Sequence, residues 1–252
     1  MTQDEFFSAY QALERRMRAL AEADGDVFLP NPAPSTQVDH VLICMEPSLG
    51  RWAQTKDEAV ARVEDGFLNF LSSLEDFILH FAARRYLCRP DEDYFVTDFS
   101  KGAMLVQDAH VDRLARYNRW FPLLREELDL VARPGATFIT VGRPVSEQLK
   151  RRGYPSEFTR IIHYSGQAAP ARNACVAGHE PGFEIFRYEV TRDDILEDAE
   201  QVLRRAGLAP HIREGTLKNL RRWELTESRL KLLYCYKLTF EQLRTARQAG
   251  ES

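Results

Sequence analysis

The stretch that most constrains the fold is Val41-Leu42-Ile43-Cys44-Met45-Glu46-Pro47-Ser48-Leu49-Gly50. An unbroken apolar run meets an acid and a proline, then small residues and a glycine. A run without polar alternation reads as a parallel strand buried on both faces. It would deliver a carboxylate to the open end of a sheet, where α/β proteins place ligands. The pattern returns in Arg160-Ile161-Ile162-His163-Tyr164-Ser165-Gly166, where the strand delivers an imidazole into a loop of small residues.

The rest of the chain alternates between the two periodicities. Phe6, Tyr10, Leu13, Met17 and Leu20 recur at helical spacing over residues 3–24, and a proline-rich connector leads to a strand at about 39–46. Lys56 to Tyr86 reads as one long helix. Residues 93–99 form a second strand with Asp98 near its end, and a helix follows over about 111–131. Strand three covers 136–142, Pro144 to Arg152 is a short helix, and strand four covers about 158–164. Gln167 to Gly182 has no clear periodicity and reads as a loop. Residues 191–206, 214–234 and 238–248 read as helices.

Strands alternating with helices predict one three-layer α/β/α domain with a mainly parallel four-stranded sheet and extra helices at both ends. Residues 1–37 would be the N-terminal helix and connector, 38–170 the core, and 171–252 a C-terminal loop and helices. Glu46, Asp98 and His163 would then lie along one edge of the sheet.

Composition narrows the class. No apolar run approaches the roughly 20 residues that cross a bilayer, and the first residues are unlike a signal sequence, so a cytoplasmic monomer is expected. The four cysteines, Cys44, Cys88, Cys175 and Cys235, form no close pair, which argues against zinc or an iron–sulfur cluster. Neither a metal nor a cofactor is expected. The net charge of −4 is unevenly spread: residues 142–172 carry six Lys/Arg against two Glu, and 213–252 nine against five. Such basic segments on an acidic body can engage phosphates, or can be solvated helix faces.

Met45-Glu46-Pro47-Ser48, taken with His163-Tyr164-Ser165-Gly166, resembles the two active-site motifs of the uracil-DNA glycosylase superfamily. Phe95-Val96-Thr97-Asp98-Phe99-Ser100-Lys101 looks like that family's strand ending in the base-reading residue. The leucine-rich helix at Leu124–Leu128 and the strand ending Thr140-Val141-Gly142 stand in the matching order. The resemblance covers about residues 38–170. Departures are Cys44 in place of a glycine, Tyr164 in place of a proline, and no clustered cysteines as in the iron–sulfur members. A fourth is Asp98, where uracil-excising relatives present asparagine.

The resemblance implies a monofunctional DNA glycosylase acting on a base turned out of the duplex, with DNA as partner. Glu46 would stabilise the oxocarbenium-like sugar and orient water, and His163 would donate to the base O2. Asp98 would read the base edge. An ionised aspartate only accepts, so it suits the N4 amine of cytosine and repels uracil O4. A modified cytosine in phage or other foreign DNA, hydroxymethylated or glucosylated, follows as the expected target, making the protein an antiviral defence enzyme. Pro47, Ser48, Tyr164 and Ser165 would line the substrate, with Trp52 or Phe67 stacking on the base. Lys101, Arg143, Gln167 and Arg172 would contact DNA, the last two as fillers of the vacated stack.

Plainer readings remain open beside these. Glu46 can be a surface acid, His163 a satisfied strand-end histidine, Asp98 a turn cap, and Trp52 and Phe67 ordinary packing. The alternatives at the level of function are a uracil-DNA glycosylase of base-excision repair, or a DNA-binding relative without catalysis. An unrelated nucleotide hydrolase or transferase is disfavoured, because no Gly-rich phosphate loop follows the first strand.

Overall fold

The structure is a computed structural model that describes residues 1–50, 52–105, 113–154 and 157–250. The chain divides into two compact units. The first comprises Met1–Phe70 and Tyr94–Thr159, the second Leu71–Asp93 and Arg160–Ser252.

The first unit is built on a sheet whose strand order is β3-β2-β5-β6, with β2 Val38–Cys44, β3 Tyr94–Asp98, β5 Ala132–Val141 and β6 Phe158–Ile161. The chain passes to the second unit within β6. β2 runs parallel to both neighbours, with Cys44 opposite Asp98 and Ile43 opposite Thr140. Val41, Leu42 and Ile43 are fully buried, as the unbroken apolar run requires. The four-stranded α/β architecture with flanking helices is the one expected.

One sheet face packs on three helices: α1 (Gln3–Ala23), α4 (Arg113–Val131) and α5 (Arg143–Arg151). Phe6 and Tyr10 of α1, Tyr117, Leu124 and Leu128 of α4, and Val145 and Leu149 of α5 close over Val41, Ile43 and Phe95. Thr2 starts α1 with a capping box to Glu5. The expected start of α4 at 111 lies outside the described residues. A small antiparallel sheet, β1 (Val27–Phe28) with β4 (Gly102–Ala103), was not anticipated. Two-residue strands carry too little pattern to be read.

Three expectations for helices need correction. The pattern from Lys56 to Tyr86 is two helices, α2 (Lys56–Glu64) and α3 (Leu74–Ala82), the second running into a π turn over Ala83–Leu87. Gly66 adopts φ 94°, Phe70 φ 59°, and Ser73 opens α3 with a capping box to Asp76. Apolar spacing continued through these breaks and hid them. Gln167 to Gly182 is not a loop: it holds a 3₁₀ turn, α6 (Ala169–Ala177) and the start of α7 (Glu180–Phe186). The helices expected at 214–234 and 238–248 are instead α9 (Pro210–Leu220) and a continuous α10 (Glu227–Gly250), whereas α8 (Arg192–Arg205) matches its expected span.

Candidate active site

β2 sends the chain to β3 on one side and, later, to β5 on the other. In a parallel sheet that reversal opens a crevice beyond the carboxyl ends of the strands. Glu46 sits two residues past the end of β2, and Asp98 ends β3. The two segments stay side by side beyond the sheet, since Phe99 N–H donates to Cys44 O (2.9 Å) and Ser100 N–H to Met45 O (3.1 Å). Glu46 and Asp98 are thus brought to neighbouring positions at the switch point.

Their surroundings differ. The Glu46 side chain is 8% exposed, and both oxygens are engaged from α4. Arg113 donates to Oε1 and Tyr117 O–H to Oε2, while Arg113 Nε also donates to the Tyr117 oxygen. Burial and then the Glu46 charge push the Tyr117 phenol well above its ordinary range. Glu46 is therefore held in one orientation, with a guanidinium on one oxygen and a phenol on the other.

Asp98 is 3% exposed, and among the described residues no cation forms an ion pair with it. The neutral amide of Asn69 donates from Nδ2 to Asp98 Oδ2. Burial pushes the Asp98 carboxyl up to about 8, Lys101 opposes this, and the Glu46 charge adds to it. Burial thus works against the ionised, acceptor-only aspartate expected from the sequence.

Lys101, three residues on, is engaged elsewhere. Its ammonium bonds Glu127 Oε1 and Thr97 Oγ1, each at 2.7 Å, and Thr97 Oγ1 donates to Glu127 Oε2 at 2.6 Å. Tyr10 O–H adds a 3.4 Å contact to Glu127, and Asn31 a 3.2 Å bond to Thr97. At 2% exposure Lys101 is part of the interior, which corrects its expected role as a DNA contact. Gly102, just after it, is needed for space: a Cβ there would lie 2.7 Å from Arg116, which bonds Gly102 O at 2.6 Å and Ser100 Oγ at 3.0 Å.

Trp52 and Phe67 stack on each other, with centroids 4.7 Å apart and planes 13° from parallel. The Trp52 indole donates to Ser48 O at 2.7 Å, which fixes the turn after Glu46. Pro47 is buried and Ser48 exposed. Arg143 is exposed and pairs with Glu147 at 3.2 Å.

His163 belongs to the second unit. Ser165 N–H donates to His163 Nδ1 at 2.9 Å, which places the imidazole proton on Nε2. Burial lowers the pKa of His163, and Arg172 lowers it further, so the ring is held neutral with Nε2–H as a donor. Tyr164 stacks on it at 4.5 Å. Tyr236 O–H fixes Ile162 O at 2.9 Å. Arg172, expected as a wedge, is instead 4% exposed and braces this loop, donating to Ser165 O and, at 3.1 Å, to Ser228 Oγ. A guanidinium so placed cannot reach into a duplex. Gln167 is exposed on the 3₁₀ turn Gly166–Ala168.

Sequence reasoning missed Asn69, Arg113, Tyr117 and Glu127. The break that carries Asn69 was signalled by Asp65-Gly66 and by Ser73 followed by Asp76. Arg113 and Tyr117 are one helical turn apart, a spacing with no signature of its own. A surface depression of about 350 Å³ in the second unit, lined by Glu200, Arg204, Pro210, Arg213, Glu214 and Leu217, includes none of the expected site residues. No protein-family model, curated protein or solved structure matches the chain.

Proposed function

We propose that this protein is a DNA glycosylase that breaks the N-glycosidic bond of an extruded base and leaves an abasic site. The observation that carries the reading is the pair Glu46 and Asp98 on adjacent strand ends at the switch point, one ion-paired to Arg113 and the other buried against the Asn69 amide. Two carboxyl groups in such different surroundings suit separate tasks. Glu46, fixed by Arg113 and Tyr117, stabilises positive charge developing on the sugar and orients water. Asp98 meets the base edge.

The cytosine-type target drawn from the sequence requires an ionised Asp98, a form that burial at the end of β3 disfavours. The proposal therefore fixes the reaction, while the base follows from the protonation state of Asp98. Basic residues of the segments 142–172 and 213–252, Arg172 excepted, are candidates to meet phosphates.

The test is incubation with duplexes carrying cytosine, uracil, 5-hydroxymethylcytosine or its glucosylated form, followed by alkaline cleavage at abasic sites. Strand breaks with any one of them support the reaction. Glu46→Gln should slow release by roughly 10²–10³-fold while DNA binding stays intact. Tight binding without breaks would instead favour the DNA-binding alternative.

A further inference from the structure

In the second unit α6 and α10 are held in register by three side-chain bonds. Arg172 donates to Ser228 Oγ at 3.1 Å, Lys231 Nζ to Asn173 Oδ1 at 3.3 Å, and the Cys235 thiol to Arg172 O at 3.8 Å. Ser228, Lys231 and Cys235 follow one another at spacings of three and four, so they share the face of α10 that meets α6. The Arg172 carbonyl points toward the next turn of α6, the turn of Cys175, whose side chain leans back toward the helix N-terminus. A sulfur on that carbonyl therefore lies beside Cys175, and the Cys175 and Cys235 side chains share a hydrogen bond. Both are free thiols, Cys235 at 3% exposure and Cys175 only partly buried. Burial pushes the Cys235 thiol up, and Cys175 adds to this, so Cys175 is the thiol that meets an oxidant from solvent.

We propose that Cys175 and Cys235 form a redox-modification site, in which a peroxide joins them in a disulfide that clamps α6 to α10 in the arrangement the helices already have. The Cys175 thiolate attacks one peroxide oxygen, and the O–O bond breaks. The sulfur becomes a sulfenic acid, and the departing hydroxide takes up the thiol proton as water. The Cys235 sulfur then attacks the Cys175 sulfur, and the displaced hydroxide leaves with the Cys235 proton as a second water. The two sulfurs together give up two electrons, and one peroxide is reduced to two waters. A dithiol reverses the bond by exchange. The clamp also fixes the turn of α6 from which Arg172 braces Ser165 O, next to the Ser165 N–H that bonds His163.

The test treats the full chain with a small molar excess of hydrogen peroxide, blocks the remaining thiols with iodoacetamide and maps its peptides without reductant. The map should contain a peptide pair joined through Cys175 and Cys235. The thiol count of the denatured protein should fall from four to two and return to four with dithiothreitol. Cys235→Ser should abolish the link and leave Cys175 as a sulfenic acid that dimedone captures. The urea midpoint of the oxidised wild type should lie above that of the reduced protein, because the cross-link restricts the unfolded chain. Four thiols persisting after peroxide, a bond to Cys44 or Cys88 instead, or a bond between two chains on a non-reducing gel overturns the proposal. A lower urea midpoint after oxidation overturns it as well, since the helices would then have to shift to make the bond. None of these measurements depends on the glycosylase reading.

Discussion

Lys101 Nζ lies 2.7 Å from Glu127 Oε1, with 3% of one side chain and 1% of the other exposed. A pair this deep does not reach solvent or substrate. It holds the segment after β3 against α4 and keeps the Lys101 ammonium on Glu127 rather than on Asp98. Replacing Lys101 with Met should cost about 3–5 kcal/mol, because it strands the Glu127 carboxylate in the interior. Urea denaturation measures this directly. A loss below about 1 kcal/mol would mean that Lys101 is available for another role.

Asp98 should make stability depend on pH. Its folded pKa, about 8, lies above the ordinary 3.8, so the native state keeps a proton that the unfolded chain has released in between. The stability from that proton is complete below the ordinary range and is lost as pH rises through the folded value. The advantage of wild type over Asp98→Asn should therefore shrink steadily from about pH 4 to about pH 8 and then level off. Parallel stability curves for the two proteins would show that Asp98 is ionised throughout.

Tyr117 should be worth more than a packed ring. Its hydroxyl donates to Glu46 and accepts from Arg113, closing a triangle around the carboxylate. Tyr117→Phe removes a hydrogen bond to a charged group and should cost about 1.5–3 kcal/mol. Under the proposed function it should also lower kcat with little change in KM, since Glu46 would lose its fixed orientation. A rise in KM alone would place Tyr117 in substrate binding instead.

The strands were legible because burial on both faces leaves unbroken apolar runs, as in Val41–Cys44, and a run ending in Glu-Pro marks where the sheet stops. The same logic placed Glu46 and Asp98 on adjacent strand ends. Protonation was not legible, because it depends on where Lys101 goes, and Lys101 is claimed by Glu127 from a helix distant in sequence. Arg172 was misjudged for a similar reason. Its setting in a stretch rich in Ala, Gly and Pro suggested an exposed loop, yet α6 turns the side chain inward to Ser165 and Ser228. Asn69 was hidden by apolar spacing that ran through a break between helices.

The state of His163 can be settled apart from any activity. Ser165 N–H is a donor that cannot change role, so its 2.9 Å bond to Nδ1 requires a lone pair there and a proton on Nε2. Burial and Arg172 hold the folded pKa below the ordinary 6.5, so the unfolded chain takes up a proton first as pH falls. The stability that comes from this neutral ring is present above about 6.5 and is lost as pH drops through the folded value. Nitrogen-15 long-range correlation spectra should assign the Nε2–H tautomer at neutral pH and show His163 titrating below the ordinary 6.5. Arg172→Met removes one opposing charge and should move that titration upward. A ring found as Nδ1–H, or already cationic at neutral pH, would break the bond to Ser165.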